Sequence, residues 1–368
     1  MGKDLILLGG GHAHMVTLAN IGDFVRQGHR VTVIGPSEHH YYSGMGPGML
    51  SQTYTPQQIR FNTRRTVEKN GGRFIKDRAS HIDPDRRIVY AASGDTFPYD
   101  VLSCNTGSQV PDYMIEGSRD KVFTTKPIEG MITAQEALLQ LAKTQSKTRV
   151  AVVGGGAAGI EVAGNAWSLL SKNGRHRFEV VLFSEGKLLP RFPDKVRKAV
   201  LGVFLKRGIK ILENNKVDRI GDHVLLLKSG KRYRADLIFI AIGVKPSPIF
   251  AASRLPTGPL GALAVNEYLQ CSAYPQIFGG GDCIYFENHP LNKVGVYAVR
   301  QNPILYQNLM ASLAGQPLTP FSPGGAYLLV FNLGKGIGVY YKQGIAFKGR
   351  LAFLIKDLID RRFIRKFQ

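Results

Sequence analysis

Apolar and polar positions along the 368 residues fall into a few distinct patterns. Two segments, "KDLILLGGGHAHMVTLA" (3–19) and "TRVAVVGGGAAGIEVAG" (148–164), share one of them. Each has a block of consecutive apolar residues, then three glycines, then an alternation at helical spacing. Unbroken apolar runs of this length predict strands buried on both faces, as in a parallel sheet. A second apolar run follows each copy, "HRVTVIG" (29–35) and "FEVVLFSE" (178–185), at the interval a βαβ unit needs. Three further runs end in glycine turns: "YDVLSCNTGS" (99–108), "ADLIFIAIGVKP" (235–246) and "YPQIFGGGDCIYF" (274–286). The pattern predicts an α/β fold with two Rossmann-like units.

The glycine spacing gives those units a chemistry. In a strand-to-helix turn, the first glycine permits the tight bend and the second lets backbone approach a diphosphate. The helix N-terminus then offers free N–H groups to that anion. Gly154, Gly156 and Gly159 fill all three motif positions of the second copy. The first copy has Gly9 and Gly11, but His14 stands where the third glycine is expected. One glycine turn is weak evidence. Two copies, each opening its own βαβ unit, imply two bound nucleotides.

Composition narrows the class. The formal net charge of +21 implies an anionic partner, such as phosphorylated ligands or an anionic membrane surface. No nucleic-acid-binding module accompanies the charge. Cys104, Cys271 and Cys283 are far apart, with no C-x-x-C, so neither a metal site nor a local redox dithiol is expected. No apolar run approaches the roughly 18 residues needed to span a bilayer. The first apolar run leads straight into the glycine turn, with no cleavable leader pattern ahead of it, and cytoplasmic residence is expected.

The order of two dinucleotide turns, two strand-Gly turns and a late Gly280-Gly281-Asp282 resembles the flavoproteins with two dinucleotide-binding domains. That group (the pyridine nucleotide-disulfide oxidoreductase superfamily) includes glutathione-reductase-like enzymes, sulfide:quinone oxidoreductases and type II NADH dehydrogenases. "GGGHAH" with "HHYYSGMGPGML" (39–50) further resembles the oxidoreductase domain found fused to selenophosphate synthetase, whose pattern has a histidine where His14 stands. The resemblance implies an FAD domain at 1–108 and 246–318, an NAD(P)H domain at 109–245 and a C-terminal segment at 319–368.

It also implies roles. Gly9, Gly11, His14, Gly107, Gly281 and Asp282 fall in the FAD site, with Asp282 accepting from the ribityl chain. The acid that usually ends the second strand is missing, because Gly35 stands there; Ser37 and Glu38 are the alternatives for the ribose. Gly154, Gly156, Gly159, Glu161, Glu185 and Gly243 fall in the NAD site. Glu161 matches a glutamate that lies by the nicotinamide in type II enzymes. Glu185 matches the partner of the ribose 2′-hydroxyl, favouring NADH over NADPH. Tyr297, Arg300 and Gln301 match the segment bordering the quinone site. No catalytic base is required for hydride transfer.

The tail "KGRLAFLIKDLIDRRFIRKFQ" (348–368) predicts a helix with Leu351, Leu354, Ile355, Leu358 and Ile359 on one face. Lys356, Asp357, Asp360 and Arg361 fall on the other. Phe363, Ile364 and Phe367 then break the phase among Arg362, Arg365 and Lys366. Exposed aromatics among basic residues read as an interfacial anchor on an anionic membrane. The resulting expectation is an FAD-dependent NADH:quinone oxidoreductase, peripheral on the cytoplasmic face of the cell membrane. A sulfide:quinone oxidoreductase, a soluble NAD(P)H-dependent reductase with a protein or selenium-linked partner, and a non-enzymatic nucleotide sensor are the rivals. A homodimer is left open.

Overall fold

The computed structural model describes residues 2–172 and 177–368. Two five-stranded parallel sheets form the frame. The first runs Ile277–Gly279, Val101–Cys104, Asp4–Leu8, Arg30–Gly35, Arg73–Lys76. The second runs Val122–Thr124, Leu237–Ile240, Lys147–Val153, Arg177–Phe183, Lys210–Leu212. In each, the glycine-turn strand is central, so its apolar residues are covered on both faces. Leu5, Leu7, Val150 and Val152 are fully buried. Both glycine turns therefore open at the carboxyl ends of central strands, where an open α/β sheet leaves a crevice.

The two turns lead into different helices. After the second comes one unbroken helix, Ala157–Ser171, as predicted. After the first come a 3₁₀ turn, His12–His14, and two short helices, Met15–Ala19 and Ile21–Arg26. The break falls at Asn20, whose backbone leaves helical angles and whose side chain donates to the Val16 carbonyl at 2.8 Å. Local side-chain bonding of this kind competes with helix continuation.

A three-stranded antiparallel sheet, Leu329–Asn332, Gly338–Lys342 and Ile345–Gly349, precedes the terminal helix Arg350–Phe367. That helix is amphipathic, with its apolar face turned outward. Leu351 (62%), Leu354 (58%) and Leu358 (70%) are exposed, while Ala352, Asp360 and Ile364 are buried. The expectation of exposed aromatics is corrected: Phe363 and Phe367 pack inward, on the core that contains Met45, Phe61 and Ile364. Position 363 lies on the same helical stripe as 352, 356 and 360, so burying the charged stripe carries the phenylalanine inward with it. Among the described residues, no helix is long and apolar enough to cross a membrane.

Candidate functional site

The first turn is built around His14. Gly9 has φ +88°, and a Cβ there would collide with the Asn105 carbonyl. At the third motif position a glycine normally lets the helix close on the strand, and in the second turn it does so: a Cβ on Gly159 would overlap the Gly154 carbonyl. His14 fits instead by placing its ring beneath the turn. Nδ1 lies 2.7 Å from the Gly9 carbonyl and Nε2 lies 2.8 Å from Ser103 Oγ. A carbonyl only accepts, so Nδ1 carries the proton and the Ser103 hydroxyl donates to Nε2. Burial pushes the imidazole down to about 4, so it stays neutral at pH 7. His14 thus supports the turn from behind.

Space is open at the second turn and at the two strand-Gly turns. A methyl group added to Gly156 would meet none of the described residues within 4 Å, and the same holds for Gly107 and Gly243 at the two strand-Gly turns. Asn105, a residue with no mark in the glycine pattern, donates to the Gly280 carbonyl at 2.7 Å. Its Oδ1 stands against Gly11, buried and without a partner among the described residues. An acceptor left unmade in a site of this kind suits a hydroxylated ligand.

Asp282 lies beside these glycines. Lys126 donates to it at 2.5 Å and Ser108 at 2.8 Å. Burial alone would raise its pKa, but the Lys126 ammonium and the Ser108 hydroxyl hold it below the usual carboxylate range. Lys126 is not legible in the sequence as its partner, because it lies 156 residues away in the chain.

The remaining expected residues are scattered in role. Gln301 is buried, and its Oε1 accepts from the Gly281 N–H at 2.7 Å, which pins the turn carrying Asp282. The Arg300 guanidinium donates to the Pro323 and Gly325 carbonyls. Both side chains therefore make structural bonds in the expected acceptor segment. Tyr297 stands edge-on to Tyr327, 5.7 Å between centroids, in a shallow recess with Asp282 and Lys293. Glu185 is 71% exposed and pairs with Lys216 at 2.7 Å. At the first sheet's edge, Glu38 faces Arg64 at 3.4 Å and Lys76 at 4.0 Å, while Ser37 Oγ accepts from the His39 N–H.

Glu161 sits on the second turn's helix and accepts from the Asn332 N–H at 2.7 Å. Burial raises its carboxyl to about 7, opposed by the nearby Lys356 ammonium. Lys356 comes from the charged face of the terminal helix. It donates to Asp360 at 2.6 Å and to the Gly44 carbonyl at 2.7 Å. Tyr42 donates to Asp360 at 3.1 Å, and Tyr54 donates to Asp357 at 2.8 Å. The segment carrying Tyr42 and Gly44 thus meets the terminal helix through buried polar bonds, with Glu161 close enough to act on Lys356 electrostatically. Burial would lower the Lys356 pKa, but Asp360 and Glu161 raise it above the ordinary value, so it stays charged.

All three cysteines are buried free thiols. Cys283 Sγ donates to the Cys104 and Gly280 carbonyls, both at 3.3 Å. Burial pushes Cys104 well above an ordinary thiol and raises Cys283 as well.

Residues 3–308 match the family described as pyridine nucleotide-disulphide oxidoreductase. The chain belongs to that family. It is an FAD-dependent oxidoreductase that uses NAD(P)H. This oxidoreductase is 28% identical to the ferroptosis suppressor protein 1 of Taeniopygia guttata over 79% of its own length and 76% of that protein's. It is 24% identical to the type II NADH:quinone oxidoreductase of Staphylococcus saprophyticus, covering 99% of this chain and 96% of that one. Its fold superposes on the sulfide:quinone oxidoreductase of Aquifex aeolicus with a TM-score of 0.82, at 18% identity, over 99% of this chain and 91% of that one.

Proposed function

We propose that this oxidoreductase passes electrons from NADH to a membrane quinone at the cytoplasmic face of the cell membrane. The observation that carries the reading is the orientation of the terminal helix. Leucines 351, 354 and 358 face outward, while Lys356 and Asp360 face inward, toward the Gly44 carbonyl, Tyr42 and Glu161. Burying an exposed leucine in lipid is worth about 1.5–3 kcal/mol, and Arg362, Arg365 and Lys366 add attraction to anionic headgroups. A lipid-soluble acceptor would meet the protein on this face. The likeness to a type II NADH:quinone oxidoreductase over nearly the whole chain supports the same acceptor class.

The chain's residues divide the work. Gly9, Gly11, Gly107, Gly281 and Asp282 hold the FAD, with His14 fixing the turn. Gly154, Gly156, Gly159 and Gly243 hold the nicotinamide nucleotide, and Glu185 takes its ribose 2′-hydroxyl. FAD held there would supply the hydride acceptance from the nicotinamide and the two-electron transfer to the acceptor. Quinone reduction also consumes two protons. Glu161, with a carboxyl near 7, holds one close to neutral pH, and Lys356 lies beside it. Tyr297 borders the acceptor. The narrower likeness of "GGGHAH" and "HHYYSGMGPGML" to the domain found fused to selenophosphate synthetase would fit a soluble reductase with a protein or selenium-linked partner instead.

The cysteines speak against sulfide as donor, since a thiol buried and kept protonated is a poor nucleophile. Stopped-flow mixing tests the whole reading: NADH should bleach the bound flavin faster than NADPH or sulfide, and a water-soluble quinone should restore its colour. A colourless protein that cannot be reconstituted with FAD, or one bleached only by sulfide, would refute it.

A further inference from the structure

Two histidines beside the first turn remain without a role. His12 directly follows Gly11 and opens the 3₁₀ turn, and His40 lies on the His39–Tyr41 strand. Their rings meet edge to face, 4.8 Å between centroids, with His40 Nε2 3.1 Å from His12 Nδ1. His12 is only 9% exposed, yet its Nε2 has no hydrogen-bond partner among the described residues. Two aromatic rings flank it: Phe363 stacks on it at 5.7 Å and Tyr42 lies at 5.1 Å.

A buried polar atom without a partner is costly and calls for an explanation. Asn105 Oδ1 is a second buried orphan, and it stands against Gly11, the neighbour of His12. Burial pushes the His12 imidazole down to about 4, with Asp282 opposing and Lys126 reinforcing; burial also keeps His40 well below its ordinary value. Both rings are therefore neutral at pH 7. If His40 donates from Nε2 to His12 Nδ1, the remaining proton of His12 must lie on Nε2.

We infer that His12 is a ligand of the FAD, with His40 donating to its Nδ1 and its own Nε2–H donating to an acceptor oxygen of the cofactor held on the first turn. The inference rests on the first turn being the FAD site. No described protein group answers this nitrogen, and Gly11–His12 is the piece of backbone that the motif brings closest to a diphosphate.

The test strips FAD and titrates it back into apoprotein, following flavin fluorescence, for wild type, His12→Phe, His12→Gln and His40→Phe. Both Phe variants should bind FAD about two- to tenfold more weakly, the range expected for one neutral hydrogen bond. The amide of His12→Gln should recover part of the loss. In ¹⁵N-histidine-labelled wild type, the His12 Nε2 resonance should move when FAD is added. Wild-type affinity in His12→Phe, or a resonance that stays put, overturns the inference. So does a His12→Phe variant with intact FAD affinity and a raised quinone KM, which would assign the nitrogen to the acceptor instead. If His12→Phe does not fold, the wild-type resonance decides alone. Failure of wild type to bind FAD would overturn the proposed function itself, and this inference with it.

Discussion

The His14 imidazole donates from Nδ1 to the Gly9 carbonyl, 2.7 Å away, and so ties the third position of the first dinucleotide turn to its first. A side chain takes over the close packing that Gly159 achieves in the second turn by having none.

His14→Ala should cost about 2–4 kcal/mol, from a cavity and two buried groups that lose a partner. The loss also has a pH signature. The folded imidazole is held at about 4 against an ordinary 6.5, so its stabilising contribution is complete above pH 6.5 and is lost as pH falls toward 4. The difference amounts to roughly 3 kcal/mol. Urea unfolding at pH 7 and pH 5 should show a shallower pH dependence in His14→Gln than in wild type; equal slopes would mean the ring is protonated in the fold.

Glu161 behaves with the opposite sign. Its folded carboxyl is raised to about 7, so protonation is favoured in the folded state and the carboxyl loses its proton as pH rises through neutrality. NADH:quinone turnover should fall over that interval in wild type. Glu161→Gln should remove that dependence and lower turnover by about tenfold or more, while NADH bleaching of the flavin persists. An unaltered pH profile would take Glu161 out of proton delivery.

Glu185→Arg should narrow or reverse the preference for NADH over NADPH. The carboxylate is 71% exposed, and its ion-pair partner Lys216 stands ready to meet a 2′-phosphate once the acid is gone. Bleaching rates with each donor decide this; equal rates in wild type would remove Glu185 from the role.

Leu354→Asp with Leu358→Asp should release the protein from anionic liposomes while leaving its melting temperature and flavin bleaching unchanged. Both leucines are exposed, so the substitution touches no core. Deleting the helix would be a poorer test, because Phe363 and Ile364 belong to the core and Lys356 and Asp360 to a buried network. Each basic residue near the surface contributes about 1 kcal/mol, so raised salt should weaken wild-type binding. Undiminished pelleting of the double variant would place the membrane contact elsewhere.

Apolar runs and glycine spacing were enough to specify the two parallel sheets and the two glycine turns. Those depend on local requirements: unbroken apolar runs need burial on both faces, and Gly9 and Gly154 need positive φ against a neighbouring carbonyl. The sequence also showed that the terminal helix has two faces. Which face turns outward was decided only by tertiary structure. Lys356 and Asp360 find Glu161, Tyr42 and the Gly44 carbonyl in distant segments of the chain, and paired burial of those charges fixes the helix with its leucines outside. The same holds for the site. Glycine spacing is local and readable, whereas the partners of Asp282, His14 and His12 (Lys126, Ser103 and His40) are brought together only by the fold. Hydrogen bonds and ion pairs act over a few ångströms of space and leave no periodic mark on the chain.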